Sequence, residues 1–277
     1  MHGMGRLSRR KACSSMLLAG TMTWLHAQRG ESATGRVAMA SDESTNWIVL
    51  VAFPELTLLD LVGPLQVLRG LDAPFRTAVV AEDLDSVLTD TGVRITPQMT
   101  FADVPRPCVV LVPGGPGSVA AMANQALQAY LKSAADHATV VASVCTGALP
   151  LAATGLLEGR RASVHWAYAR ELELLGARYE RARFTEDGKF ITSAGVSAGI
   201  DMALELAAKL AGRETSQRIQ LGLEYDPHPP FGGIDWTRVG ETELTRQRQG
   251  GTGARMAQAR ELLAHRPDLL RRLKLAP

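Results

Sequence analysis

Short, unbroken apolar runs alternate along this chain with longer stretches whose apolar positions recur every three or four residues. The first pattern predicts strands buried on both faces, the second predicts helices. The first run is Trp47-Ile48-Val49-Leu50-Val51-Ala52-Phe53, ended by Pro54-Glu55. Leu56 to Pro64 leads into a helix reaching Arg69, and Phe75 to Ala81 reads as the second strand. Thr89-Asp90, followed by Gly92 to Thr96, predicts a small hairpin. Cys108-Val109-Val110-Leu111-Val112 is the next buried strand. It stops at Pro113-Gly114-Gly115-Pro116-Gly117, and one helix is expected from Val119 to His137.

The chain then reaches Thr139-Val140-Val141-Ala142-Ser143-Val144, a β-branched strand that switches at once to small, helix-compatible residues. Cys145-Thr146-Gly147 sits at the switch. Beyond it, Arg161 to Val164 is a short strand ending in His165-Trp166, and Ala167 to Leu175 is helical up to Gly176. Tyr179 to Arg183 and Phe190-Ile191-Thr192 are strand-like around the turn Glu186-Asp187-Gly188. The glycine-bearing loop Ser193 to Gly199 opens an apolar helix over Ile200 to Leu210. A second helix covers Glu214 to Glu224, and the Pro-rich segment Tyr225 to Gly233 closes the domain. Strands alternating with helices predict an α/β fold: an open, mostly parallel sheet covered on both faces.

Both ends differ from this middle. Arg6, Arg9, Arg10 and Lys11 precede a mildly apolar, acid-free stretch, Ala12 to Ala27, and Ala38-Met39-Ala40 follows. That order is the order of an export signal, and Ser8-Arg9-Arg10 suits a twin-arginine type. Residues 1–40 are therefore expected to be a signal, 41–236 the folded domain, and the protein periplasmic, with a cytoplasmic location if the segment is only a basic extension. Residues 237–277 form a basic tail, with a linker at Thr245 to Gly253 and an amphipathic helix over Ala254 to Lys274. That helix would clasp a partner or hang loosely.

The full chain has 277 residues, a net charge of +2 and three cysteines. The near-neutral balance argues against general nucleic-acid binding. Cys13, Cys108 and Cys145 make no disulfide framework. No apolar run is long enough for an ordinary membrane span. No spacing of histidines, cysteines and carboxylates fits a zinc site, and no glycine pattern fits a phosphate loop or dinucleotide fingerprint.

Cys145 is the candidate with most chemistry. Its strand-to-helix turn lies where α/β sheets place their sites, and the helix N-terminus beyond it favours a thiolate. The plain alternative is a buried structural cysteine. A cysteine nucleophile also needs donors for an oxyanion and a group that moves protons. Gly114 and Gly115 end the neighbouring strand, and their N–H groups could join that of Thr146 in an oxyanion pocket. Asp60 lies among Leu58, Leu59, Leu61 and Val62, where a buried carboxylate must pair or carry a raised pKa. It is the candidate proton carrier, or else the N-cap of the first helix. His165 is the rival base, or a pocket-lining residue. The Thr146 hydroxyl would bond thiolate or substrate, or merely stabilise the turn. Cys108 reads as core.

Several motifs together resemble one family. They are Asp60-Leu61-Val62-Gly63-Pro64, Val112-Pro113-Gly114-Gly115, Ser143-Val144-Cys145-Thr146-Gly147, Gly155 to Ala162, His165-Trp166-Ala167-Tyr168, Ser197 to Asp201 and Leu223 to Pro227. In this order they resemble the ThiJ/PfpI superfamily and, within it, the isocyanide hydratase branch. The resemblance spans Trp47 to Phe231. It implies a flavodoxin-like three-layer αβα sandwich of the class I glutamine amidotransferase type, and a homodimer. It also implies that an isocyanide and water give an N-substituted formamide, with no metal or organic cofactor. By resemblance Cys145 is the nucleophile, Asp60 the carboxylate working with it, and Thr146 their neighbour. Thr146 stands where the proteases of the superfamily carry a histidine, which disfavours protease activity. Amidotransferase-like domains also precede the DNA-binding domains of AraC-type regulators. The tail after Phe231 is too short for two helix-turn-helix units, so a non-catalytic sensor is the rival reading. Glyoxalase-like chemistry on small aldehydes is a further one.

Overall fold

The computed structural model describes residues 46–247 and 253–275. The expected export segment, with Cys13, lies outside the described residues. Those described all fall in one unit of the chain, Arg36–Pro277.

The elements follow in chain order. β1 (Trp47–Val51) runs into α1 (Leu58–Leu68) and β2 (Arg76–Ala81). The small strands β3 (Val87–Leu88), β4 (Arg94–Ile95) and β5 (Met99–Thr100) come next. β6 (Val109–Val112) leads to α2 (Ser118–Ala123) and α3 (Gln125–His137). β7 (Val140–Val144) leads to a single tight turn of helix at Cys145–Gly147 and then α4 (Ala148–Ala153). β8 (Arg161–Ala162), α5 (Ala169–Leu174), β9 (Arg178–Tyr179), β10 (Phe184–Asp187) and β11 (Phe190–Ser193) follow. α6 (Ala198–Ala211) and α7 (Arg213–Gly222) complete the sandwich. α8 (Glu241–Gln247), α9 (Gly253–Leu262) and α10 (Pro267–Arg272) form the tail.

Seven strands form the main sheet in the order β10-β11-β7-β6-β1-β2-β5. Every neighbouring pair is parallel except β10 with β11. The expected mostly parallel αβα architecture is what the chain adopts. β6 and β7 are buried along their whole length, as helices on both faces require. Ile48, Val49, Leu50 and Val51 in β1 are likewise fully buried. Each such side chain contributes about 1.5–3 kcal/mol relative to exposure.

Three expected elements differ from those observed. The helix expected over Val119 to His137 is two helices, because Asn124 leaves the helical region (ψ 109°) and its side chain accepts the Leu127 N–H at 2.8 Å. Asn124 therefore ends α2 and caps α3. The strand expected over Tyr179 to Arg183 is only Arg178–Tyr179, pairing with β8; the strand that pairs with β11 begins at Phe184. The helix expected over Ala254 to Lys274 is broken before Pro267, which has no N–H for a continuing helix and instead starts α10.

Candidate active site

Four strand ends, those of β11, β7, β6 and β1, lie side by side in the sheet. From β1 the chain moves outward to β2 and β5, then returns to β6 on the other side of β1. That reversal opens a crevice at the C-terminal ends of β1 and β6, the place where open α/β sheets bind ligands. Asp60 comes from the segment after β1, Gly114 and Gly115 from the turn after β6, and Cys145 from the turn after β7.

Asp60 sits in the first turn of α1 and is completely buried. It does not cap that helix. Thr57 is the N-cap, and the Leu58 N–H is taken by Asp90 Oδ1 at 3.1 Å, while the Thr57 hydroxyl donates to Asp90 Oδ2 at 2.8 Å. The capping carboxylate thus comes from the hairpin region, and Asp60 is left to the crevice. Its Oδ2 accepts the Gly114 N–H at 3.0 Å.

Gly114 is where α1, the β6 turn and the β7 turn converge. Its carbonyl accepts the Thr57 N–H at 2.8 Å. A Cβ placed on it would stand 2.5 Å from Thr146 N and 2.9 Å from Asp60 Oδ2, so no larger residue fits unmoved. The next N–H, of Gly115, donates to Thr146 Oγ1 at 2.8 Å. That hydroxyl also pairs with Ser118 Oγ at 2.9 Å. The expectation that Gly114 and Gly115 present free oxyanion donors is corrected here. Both N–H groups are engaged inside the site, where they fix the carboxyl and the hydroxyl.

Cys145 has φ +58°, the left-handed region that non-glycine residues avoid. Such strain costs about 1–3 kcal/mol and persists only where the surroundings enforce it. Here they do: the Cys145 N–H donates to Ala194 O at 3.2 Å, across from the end of β11. Two backbone N–H groups, those of Thr146 and Val196, favour the charged form of the sulfur. The sequence places the Thr146 N–H in an expected oxyanion pocket and offers no role for Val196. The Ser193 to Gly199 loop is visible in the sequence as a third glycine-bearing strand end, which was the available signal.

The two ionisable groups act on each other. Burial lifts the Asp60 carboxyl from 3.8 to about 7, against the Gly114 N–H and the Cys145 thiol, which favour its charged form; the charge of Asp90 adds to the lift. Burial also pushes the Cys145 thiol up, and the negative charge of Asp60 pushes the same way; the Thr146 and Val196 N–H groups pull it down. The resting thiolate expected from the helix end is therefore not favoured. α4 is only six residues long, and desolvation outweighs its N-terminus. Near neutral pH the carboxyl is thus the member of the pair that changes charge, while the thiol stays protonated beside it.

His165 lies outside this pair. Its Nδ1 accepts the Ala167 N–H at a long 3.4 Å, and its ring stands 5.6 Å from that of Trp166 and 6.3 Å from that of Tyr168. Burial lowers its pKa, which keeps the ring neutral. It is not among the groups that perturb Cys145. A Cβ on Gly195 would stand 2.6 Å from its Cδ2, so the ring packs on the loop that carries Val196. Cys108 is core, as expected, with its thiol donating to Trp47 O at 3.2 Å. Two surface clefts of about 380 and 450 Å³ are lined by Gln66 and Arg69 with other residues, and neither is lined by Asp60 or Cys145. One includes Trp47, at the opening end of β1 and away from the strand ends that carry the site. Among the described residues no three His, Cys, Asp or Glu side chains are grouped to hold a metal.

Residues 46–209 match the DJ-1/PfpI family. The chain belongs to that family. It is 44% identical over 184 residues to an isonitrile hydratase of Pseudomonas putida, covering 66% of this chain and 80% of that one. It is 29% identical over 188 residues to the HTH-type transcriptional regulator GbdR of Pseudomonas aeruginosa, covering 66% of this chain and 51% of the regulator. The chain thus spans about half the regulator's length. The crystal structure of a ThiJ/PfpI family protein from Pseudomonas syringae superposes with a TM-score of 0.72 at 34% identity, covering 79% of this chain and 90% of that one. Drosophila melanogaster DJ-1beta, at 24% identity and a TM-score of 0.59, covers 65% of this chain and 98% of its own, and shares the fold. Among the described residues no helix is long and apolar enough to cross a membrane.

Proposed function

We propose that this DJ-1/PfpI protein is a cysteine-dependent isocyanide hydratase, adding water to R–N≡C to release R–NH–CHO. One observation carries the reading: a strained, buried Cys145 shares its site with Asp60, a carboxyl that burial pushes up to about 7. The 44% identity to an isonitrile hydratase supports the substrate class.

Asp60 takes the thiol proton as Cys145 attacks the terminal isocyanide carbon. A C–S bond forms, and Asp60 returns the proton to that carbon, leaving the thioimidate S–CH=N–R. Water adds next: its hydroxyl goes to the carbon and its proton passes through Asp60 to the nitrogen. The C–S bond then breaks as the hydroxyl proton is handed back to sulfur, and the formamide leaves. A carboxyl near pKa 7 suits this work because it accepts and donates with little bias. The N–H groups of Thr146 and Val196 stabilise negative charge on sulfur at attack and departure. Thr146 Oγ1, committed to Gly115 and Ser118, keeps the two turns together. No metal or organic cofactor takes part in this scheme.

The test is direct. Purified protein is incubated with an alkyl isocyanide, an aryl isocyanide, methylglyoxal and a peptide, and products are followed by mass spectrometry. Formamide from the isocyanides, lost in Cys145→Ala, is expected. Equal rates in wild type and Cys145→Ala would remove the nucleophile. The likeness to the regulator GbdR supports a second reading, a sensor that binds without turnover; tight isocyanide binding with no formamide would favour it. We further propose a homodimer, consistent with Leu59 and Val62, apolar residues of α1 left 44% and 37% exposed. Light scattering giving a monomer mass would remove that part alone.

A further inference from the structure

The loop joining β11 to α6 makes two contacts with Cys145. Ala194 O receives the cysteine N–H at 3.2 Å, and the Val196 N–H favours the charged form of the sulfur. The position of this loop therefore sets both the strained backbone and one of the two donors at the reactive atom. What holds the loop lies just outside the site.

Arg183, immediately before β10, grips the loop twice. Its carbonyl accepts the Ala194 N–H at 2.9 Å, and its Nη1 donates to Ser197 Oγ at 3.4 Å. The guanidinium is itself held by Asp201 in the first turn of α6. Nε donates to Asp201 Oδ2 at 2.6 Å, and Nη2 forms an ion pair with the same oxygen. The other Asp201 oxygen accepts the Tyr225 hydroxyl at 2.6 Å. Three chain segments thus meet on one carboxylate, linked through Arg183 to the loop that takes the Cys145 N–H. We infer that Arg183, Asp201 and Tyr225 are positioning residues, a clamp that sets the Ser193–Ser197 loop against Cys145 through the Ala194 carbonyl that takes the Cys145 N–H.

The magnitudes separate this role from a structural one. The Arg183 and Asp201 side chains are 55% and 28% exposed, and such pairs contribute little to global stability. A donor aimed at a buried sulfur matters far more, because it acts where desolvation is strongest. Breaking the clamp should therefore alter the thiol more than the fold. Among the described residues, Asp60 from α1 is the charged group that acts on the sulfur, and His165, kept neutral by burial, packs on Gly195.

The inference rests on Cys145 being the reactive thiol, and its test avoids isocyanides. Full-length protein is alkylated with iodoacetamide from neutral to alkaline pH, with Cys145 labelling followed by peptide mass mapping. Arg183→Ala and Asp201→Asn should slow labelling at neutral pH roughly tenfold and move the pH midpoint upward, with near-unchanged melting temperature. Tyr225→Phe should move it the same way by less, and Arg183→Lys should return it toward wild type. An unshifted midpoint in folded Arg183→Ala and Asp201→Asn overturns the inference. If neither folds, Tyr225→Phe decides, and an unshifted midpoint there overturns it. Wild type that labels at Cys145, responds to the clamp variants and yet hydrates no isocyanide would overturn the hydratase reading and leave the clamp standing.

Discussion

The Gly114 N–H donates to Asp60 Oδ2 at 3.0 Å, joining the turn after β6 to the helix after β1. One carboxyl oxygen is thereby fixed, while Oδ1 is buried with no conventional hydrogen-bond partner. Besides the charge of Asp90, the carboxyl interacts with the Cys145 thiol. A carboxyl held at one oxygen and loosely partnered at the other can exchange a proton without changing its position. That is the property the proposed reaction draws on.

Asp60→Asn should move two readouts in opposite directions. Amide for carboxyl keeps an acceptor for Gly114 but removes the proton carrier, so isocyanide turnover should fall by about 10²–10⁴-fold. The same change removes a negative charge that raises the Cys145 pKa. Alkylation of Cys145 by iodoacetamide at neutral pH should therefore become faster. Parallel loss of both activities would mean that Asp60 only supports the fold.

The raised Asp60 pKa also sets a pH dependence of stability. In the unfolded chain the carboxyl ionises near 3.8, in the native protein near 7. Above the lower value the unfolded state gains a hydrated charge that the native state does not. The contribution of Asp60 thus turns increasingly unfavourable as pH rises through that window, and levels off above about 7. The full effect is about 4 kcal/mol in order of magnitude. Asp60→Asn lacks this slope. The melting temperature of the variant minus that of wild type should climb from acidic to neutral pH; a flat difference would show that the carboxyl is not desolvated.

Gly114→Ala should damage activity more than its size suggests. The added methyl meets Thr146 N and Asp60 Oδ2, parts of two different turns, at distances real side chains do not tolerate. Relief has to separate the carboxyl from the elbow. We expect a melting temperature reduced by several degrees and hydration reduced at least tenfold. Gly155→Ala is a useful contrast: its added methyl has open space, although its φ of +88° carries backbone strain alone.

The sheet and the elbow were legible because buried parallel strands have a simple signature. β1, β6 and β7 are continuous apolar runs ended by proline, glycine or the Cys145 switch. Asp60 was legible because a carboxylate among leucines needs a reason. What the sequence did not reveal are relations between backbone groups. Nothing in Gly114-Gly115 says whether their N–H groups are free or spent on Asp60 and Thr146. The capping of α1 by Asp90 joins segments thirty-odd residues apart and leaves no local pattern. Val196 acts through its N–H, so its side chain is silent about the role. The Ser118 hydroxyl was hidden for a related reason: it meets Thr146 only once two turns are brought together.

The tail offers the last prediction. The segment carrying α9 and α10 buries Ala259, Leu263, Leu269 and Leu273, and three side chains tie it to helix ends. Arg266 donates to Met122 O at 3.1 Å and Ala153 O at 3.3 Å, near the C-termini of α2 and α4. His265 Nε2 lies 2.9 Å from Ala123 O, and Arg272 donates to Leu175 O at 3.2 Å beyond α5. A cation shared by two helix ends satisfies carbonyls the helices leave open and opposes their negative dipole ends. α2 and α4 are the helices that follow the Gly115 and Cys145 turns, so the tail braces the far ends of helices that begin beside the site. Arg266→Ala should cost about 1–3 kcal/mol, lowering the melting temperature by roughly 2–4 °C for each kcal/mol. Arg266→Lys should recover only part of this, because an ammonium lacks the fork that spans two carbonyls. Removing 253–277 should cost more than either substitution. An unchanged melting temperature after that removal would show that the tail rests on the domain without supporting it.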